Sequence, residues 1–156
     1  MVIRPLAAAD RAALDEALRR CGAFSDEEIV VANEVLDGGL EHGLDGDYPH
    51  LVAEVDGRAE GYVCVGKTPM TRGTWHLYWI CVHPRAQKLG VGRALQAAAE
   101  DFVRARGGER VVLETSGRPD YARTRRFYAD AGYAEVGRIV DYYKPGDDCV
   151  YFCKAL

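Results

Sequence analysis

The chain has 156 residues, enough for one domain that buries its own core without disulfide or metal staples. Hydrophobic residues at 48% and charged residues at 28% are globular proportions and exclude a disordered or fibrous chain. A net charge of −4 argues against a general nucleic-acid binder, and no apolar run approaches the roughly 20 residues that span a bilayer.

In chain order, "VIRPL" reads as a short strand, and the charges at Arg4, Asp10 and Arg11 leave no signal-peptide core. "AADRAALDEALRR" follows as an amphipathic helix with Leu14 and Leu18 four apart. "SDEEIVVANEVL" places Ser25 three residues before Glu28, a capping box that opens a second helix, and Gly38 and Gly39 read as its stop. "HGLDGDYP" is rich in turn formers. "HLVAEVDGRAEGYVCVG" holds two alternating apolar runs joined at Asp56-Gly57, which predicts an antiparallel hairpin.

"TWHLYWICV" is a long apolar and aromatic run, expected as a strand covered on both faces. "VGRALQAAAEDFVRARGG" predicts a helix with Val91, Leu95, Ala98 and Phe102 along one stripe, ended by Gly107 and Gly108. "RVVLET" is a further buried strand and "YARTRRFYADAG" a short helix. "AEVGRIVDYY" and "CVYFCKAL" form a final strand pair around "KPGDD". The order is β-α-α-β-β-β-α-β-α-β-β, with no repeat, linker or low-complexity tract, so a single domain over 1–156 is expected.

Cys21, Cys64, Cys81, Cys149 and Cys153 form no Cys-x-x-Cys pair, and His42, His50, His76 and His83 show no zinc spacing. The expectation is reduced thiols in a cytoplasmic protein, with no metal. His50 and His83 fall at strand edges, where a structural role is expected.

The stretch "HPRAQKLGVGRAL", residues 83–95, sets Arg85, Lys88, Arg93 and two glycines between a strand and a helix. A helix start carries unpaired N–H groups and a positive dipole end, which suits a pyrophosphate. Gly90 and Gly92 remove side chains where amides would approach phosphate oxygens. No Gly-Lys-Ser/Thr follows as in a P-loop, and the third glycine of a dinucleotide fingerprint is missing. On these residues alone, an ordinary helix entry and a phosphate cradle remain equally open.

The wider stretch resembles the acetyl-CoA-binding motif of the GNAT superfamily of N-acetyltransferases, Gln/Arg-x-x-Gly-x-Gly/Ala, with Gln87, Gly90 and Gly92 at its defining positions. "RRFYADAGY" resembles the same superfamily's Phe-Tyr-x-x-x-Gly-Phe segment through Phe127, Tyr128, Gly132 and Tyr133. The resemblance covers essentially the whole chain. It implies an α/β (α+β) GNAT fold: a mixed, mostly antiparallel sheet of about seven strands, flanked by four helices. It also implies a V-shaped splay between the fourth and fifth strands, here about 74–82 and 109–115. Backbone groups at Ile80 and Val82 would bind the pantetheine arm as a false neighbouring strand. Gln87 marks the motif, and the amides of Lys88, Leu89, Gly90, Val91, Gly92 and Arg93 would hold the pyrophosphate. Tyr121 stands where many relatives carry a pantetheine-binding asparagine, so it either contacts the cofactor or packs.

Acetyl transfer to an amine needs a deprotonated amine, a donor for the tetrahedral oxyanion and a partner for the departing thiolate. By the resemblance, the Ile80 amide is the oxyanion donor and Tyr128 faces the thiolate. A phenol near pKa 10 facing a thiol near 8.5 makes full proton transfer uphill by roughly 2 kcal/mol, so a hydrogen bond is the safer description. His76 falls where histone-type members carry a glutamate base. It is the candidate base, with a water chain as the equal alternative. A cationic acceptor would meet Glu34, Asp37, Asp141 or Asp147, and Trp79, Tyr142 and Tyr143 either line its pocket or fill the core.

The function this implies is acetyl transfer from acetyl-CoA to a primary amine of a small molecule or peptide, in a ternary complex. No nucleic acid, membrane or metal is expected as partner, and a homodimer is compatible. Two other classes compete. A silent acyl-CoA-binding module would keep the glycines without needing Tyr128. A nucleic-acid domain would use Arg118, Arg123, Arg125 and Arg126, against the acidic balance.

Overall fold

The computed structural model describes all 156 residues, Met1–Leu156. Its strands and helices follow the predicted order: β1 (Val2–Pro5), α1 (Arg11–Arg20), α2 (Asp26–His42), β2 (His50–Val55), β3 (Arg58–Lys67), β4 (Thr74–Val82), α3 (Val91–Ala105), β5 (Arg110–Ser116), α4 (Ala122–Asp130), β6 (Ala134–Lys144) and β7 (Asp147–Ala155). The strands form an open seven-stranded mixed sheet in the order β1-β2-β3-β4-β5-β7-β6. Two compact units make up the chain: Met1–Lys67 with Leu77–Phe102, and Thr68–His76 with Val103–Leu156. β4 changes unit at Leu77, inside the strand where the resemblance implies a splay.

In the first unit, β2 and β3 join through Asp56 (φ 50°) and Gly57 (φ 75°). Two positive φ values in a two-residue loop match the right-handed twist of the flanking strands, which is why Asp-Gly stands there. β1 pairs antiparallel with β2 from Val2↔Glu54 to Pro5↔Leu51. Arg4 ties this edge to the helical layer, bonding Asp10 at 2.7 and 2.8 Å and Glu54 at 2.7 Å. Leu14, Leu18, Leu36, Val52, Tyr62 and Cys64 are fully buried between the helices and the sheet. Truncating either of the two leucines of α1 to alanine would cost roughly 2–5 kcal/mol.

The capping box forms as predicted, with Ser25 Oγ accepting from the Glu28 amide at 3.2 Å and the Glu28 carboxylate accepting from the Ser25 amide at 2.7 Å. The predicted stop does not. α2 runs through Gly38 and Gly39 to His42 and ends at Gly43 (φ 64°). Gly39 is there for space: a Cβ on it would strike the His50 ring.

In the second unit, β4 begins parallel to β5 with Thr74↔Arg110, Trp75↔Val111 and His76↔Val112. β5 pairs antiparallel with β7 along its whole length, Arg110↔Ala155 to Ser116↔Cys149. Gly107 (φ 73°) ends α3, its amide donating to Arg104 O at 3.0 Å while the Gly108 amide reaches Val103 O at 2.9 Å. Both glycines therefore act as predicted. The strand β6 exposes Val136, Ile139, Val140, Tyr142 and Tyr143, and its register with β7 breaks between Ile139 and Lys144.

Two burial expectations need correcting. β4 is not covered on both faces: Trp75, Leu77 and Cys81 are buried, whereas His76, Ile80 and Val82 are half-buried and Tyr78 is exposed. An apolar run reads as two-sided cover only where both faces meet packing neighbours, and here one face stays open. In α3 the buried stripe is Val91, Leu95, Ala99 and Phe102, with Ala98 only half-buried. Steps of four, four and three residues hold one face of a 3.6-residue helix.

Candidate functional site

After Val82 the chain makes a single 3-10 turn at Pro84–Ala86, capped by His83, whose Nδ1 accepts from the Arg85 amide at 3.2 Å. Arg85 Nε donates to both carboxylate oxygens of Glu60 at 2.8 Å, and Glu60 on β3 is buried. The Arg85 guanidinium, itself exposed, is thus engaged by Glu60. It pins the turn to β3, and its loss would strand a buried carboxylate.

From Gln87 the backbone alternates. Gln87 has φ −63°, Lys88 φ 68° and Gly90 φ 82°. The Gln87 amide donates to Pro84 O at 3.2 Å and the Leu89 amide to Ala86 O at 3.4 Å, both turned inward. The amides of Lys88, Gly90, Val91, Gly92 and Arg93 have no partner within the protein, and the first α3 bond is Ala94 N to Gly90 O at 3.0 Å. Alternating φ signs at a helix start gather successive N–H groups into a concavity that binds anions. A phosphate-bearing group fits it. Leu89 leaves the predicted set of donors, because its amide is already used.

Val91 is buried and anchors the helix start, the Gln87 side chain donates to Val82 O at 3.4 Å, and Lys88, Leu89 and Arg93 are exposed. Lys88 is a non-glycine residue held in the left-handed region, a conformation that costs roughly 1–2 kcal/mol. Ile80 and Val82 stand half-buried on β4 in the same unit. β3 comes close to β4 there: a Cβ on Gly61 would strike the Cys81 carbonyl oxygen.

In the second unit, His76 Nε2 lies 2.8 Å from Glu114 Oε2. The register explains the meeting, since His76 pairs with Val112 and Glu114 lies two residues on, on the same face of β5. Sequence reasoning missed Glu114. Its signal was a lone carboxylate at 114 between Leu113 and Thr115, both buried.

Tyr128 is buried on α4, with ring centroids 5.3 Å from Phe127 and 6.0 Å from both Tyr133 and Phe152. Burial pushes its phenol above the ordinary range, so it stays a neutral donor. Tyr121 ends a 3-10 turn with the Arg118 guanidinium 5.4 Å over its ring. Arg125 clamps the preceding loop through the carbonyls of Ser116 at 2.7 Å and Arg118 at 2.8 Å.

Three of the four acidic candidates for the acceptor are engaged by the protein itself. Asp37 accepts from Arg11 at 2.6 Å, which holds its carboxyl below the usual range. Asp147 is buried, takes the Ser116 hydroxyl at 2.5 Å and lies 3.8 Å from Arg118. Asp141 sits at φ 53° and caps the final turn by accepting from the Gly146 amide at 2.7 Å. Glu34 instead lines a groove of about 490 Å³ along α2 with His42, Asp47 and Tyr48. Trp79 packs edge-on against Phe24 at 5.3 Å, a core role, while Tyr142 and Tyr143 are exposed. The arginine cluster is also partly neutralised, Arg118 by Asp120 and Arg126 by Asp130.

The sequence model of the Acetyltransferase (GNAT) family matches residues 11–133. The chain belongs to the GNAT acetyltransferase family. A GNAT-family chain of known structure from Desulfovibrio desulfuricans is 38% identical, with a TM-score of 0.93 over 99% of this chain and 98% of that one. An uncharacterized N-acetyltransferase from Methanocaldococcus jannaschii is 33% identical over 110 residues, 69% of this chain and 67% of the relative. An aminoglycoside 6′-N-acetyltransferase complexed with coenzyme A shares the fold at 17% identity, with a TM-score of 0.76 over 99% and 97% of the two chains. This GNAT chain is an acyltransferase that performs acetyl transfer. No helix in it is long and apolar enough to cross a membrane.

Proposed function

We propose that this GNAT enzyme transfers the acetyl group of acetyl-CoA to a primary amine of a small molecule or peptide, by direct attack within a ternary complex. The observation that carries the reading is the turn at 88–93, whose open amides and alternating φ signs suit a pyrophosphate. Acetyl-CoA supplies an activated acetyl group as a thioester. The amides of Lys88 and of Gly90 to Arg93 would hold its phosphates, with Lys88 and Arg93 adding screened charge. Backbone groups at Ile80 and Val82 would receive the pantetheine arm, and Tyr121 would flank it.

The Ile80 amide would donate to the developing oxyanion. Tyr128, kept protonated by burial, would donate to the departing sulfur without giving up its proton in that step. His76 is assigned as the base that takes the amine proton, supported by the carboxylate beside it. β4 and α3 each run unbroken through both units, which supports one catalytic domain over 1–156. The five cysteines carry no disulfide, which suits the cytoplasm, the setting proposed here.

The test is acetyl-CoA turnover against amino acids, polyamines, aminoglycosides and peptide N-termini, read as release of free thiol. The expected result is amine-dependent release with intersecting initial-velocity lines. Parallel lines with a stable acetyl-enzyme would overturn direct attack, and absence of turnover on every amine despite tight acetyl-CoA binding would favour the silent module.

A further inference from the structure

We infer that Glu114 is a positioning residue, whose carboxylate fixes the Nε2–H tautomer of His76 and leaves Nδ1 as the nitrogen that takes the proton. The inference deepens the reading of His76 as base and rests on it. A neutral imidazole carries one N–H and one lone pair, and the partner of one nitrogen decides the role of the other. An ionised carboxylate has only acceptor sites, so a 2.8 Å contact with Nε2 requires the proton on that atom. The lone pair is then on Nδ1.

Three observations favour a fixed geometry for the pair. The ion pair the structure records for Glu114 is the one to His76. Both residues sit on paired strands: His76 in the parallel ladder opposite Val112, and Glu114 in the antiparallel ladder opposite Tyr151. A residue bonded into a ladder cannot slide by one position without moving its side chain to the other face. The imidazole is also the better shielded partner, with its side chain 19% exposed against 38% for Glu114.

The proton balance is simple. An ammonium acceptor loses one proton to Nδ1 and gains a lone pair to attack with. The imidazolium so formed keeps its Nε2–H facing the Glu114 carboxylate 2.8 Å away, and no proton passes to Glu114 in the step.

The test compares Glu114→Ala and Glu114→Gln with the wild type and with His76→Ala. In the unliganded wild type at pH 8, long-range ¹⁵N–¹H spectra should show Nε2 protonated and Nδ1 with a lone-pair shift. Glu114→Ala should mix the two tautomers and lower kcat roughly tenfold, with KM for acetyl-CoA held within about twofold. Glu114→Gln keeps an acceptor oxygen and should restore part of both losses. An unchanged tautomer in Glu114→Ala, or an unchanged kcat there while His76→Ala falls, overturns the positioning role. If His76→Ala itself keeps full kcat, the base reading fails, and the tautomer spectra alone decide what Glu114 does to the ring.

Discussion

In the turn from His83 to Arg93 the outward-facing groups are backbone amides, whereas at His76 and Glu114 they are side chains from two strands. The turn is shaped by φ signs and a helix start, so its open amides would survive most changes of side chain that keep the backbone path. Its one exacting charged residue, Arg85, is consumed by Glu60 and holds the path rather than a ligand. The imidazole and carboxylate depend on a register between strands more than thirty residues apart in sequence. One region is local and tolerant of composition. The other is long-range and allows no slippage.

The sharpest way to break this contrast is a change that fills the turn with charge. Gly92→Glu adds a side chain and a negative charge where phosphate oxygens would sit. Like charges in such proximity cost several kcal/mol, so the Kd for acetyl-CoA measured by calorimetry should rise by more than about 10³-fold. Retained affinity would refute the cradle.

Side-chain chemistry should fail differently, in rate rather than affinity. His76→Ala should lower kcat by roughly 10²-fold, the lower end of what a positioned base contributes. Tyr128→Phe should lower kcat by a similar or smaller factor and leave the Kd for acetyl-CoA within about twofold. Burial raises the Tyr128 phenol above its ordinary range, so the phenol remains protonated, and a donor, through pH 10. The wild-type rate should therefore show no loss attributable to a tyrosinate between pH 7 and 10. A falling limb in that range, abolished by Tyr128→Phe, would contradict a neutral donor.

The same contrast explains what could be read in advance. Gly90 and Gly92 by themselves showed only a turn into a helix, and the family resemblance pointed to a cradle, whereas the Asp56-Gly57 hairpin was legible from its own two residues. Glu114 was not. Its partner lies on another strand, and only the parallel register brings the two together. The misplaced end of α2 has a related cause, since Gly39 answers to the ring of His50 on β2 and not to its own helix. Likewise Asp37 and Asp147 looked available until their arginine and serine partners were located. Local conformational needs show in sequence, whereas occupancy of a side chain by a distant partner does not.

The smallest effect separates backbone from charge within the turn itself. Lys88 holds φ 68° and points an exposed ammonium outward. Lys88→Gly keeps the path of the chain and removes only the charge. An exposed ion contact contributes about 0.2–1 kcal/mol, so the Kd for acetyl-CoA should rise no more than about fivefold, and the loss should shrink at high salt. For stability two terms oppose each other. Relief of the left-handed strain is worth roughly 1–2 kcal/mol, while the added freedom of glycine in the unfolded chain costs about 0.5–1 kcal/mol. The first is the larger, so the variant should melt at the wild-type temperature or a few degrees above it. Gly90→Ala is the converse: its Cβ meets nothing within 4 Å, yet it strains a backbone at φ 82°. It should weaken binding more than Lys88→Gly despite leaving every charge in place. Should the lysine variant prove the weaker binder of the two, the phosphate grip is made by side chains, and the turn belongs with His76 and Glu114 after all.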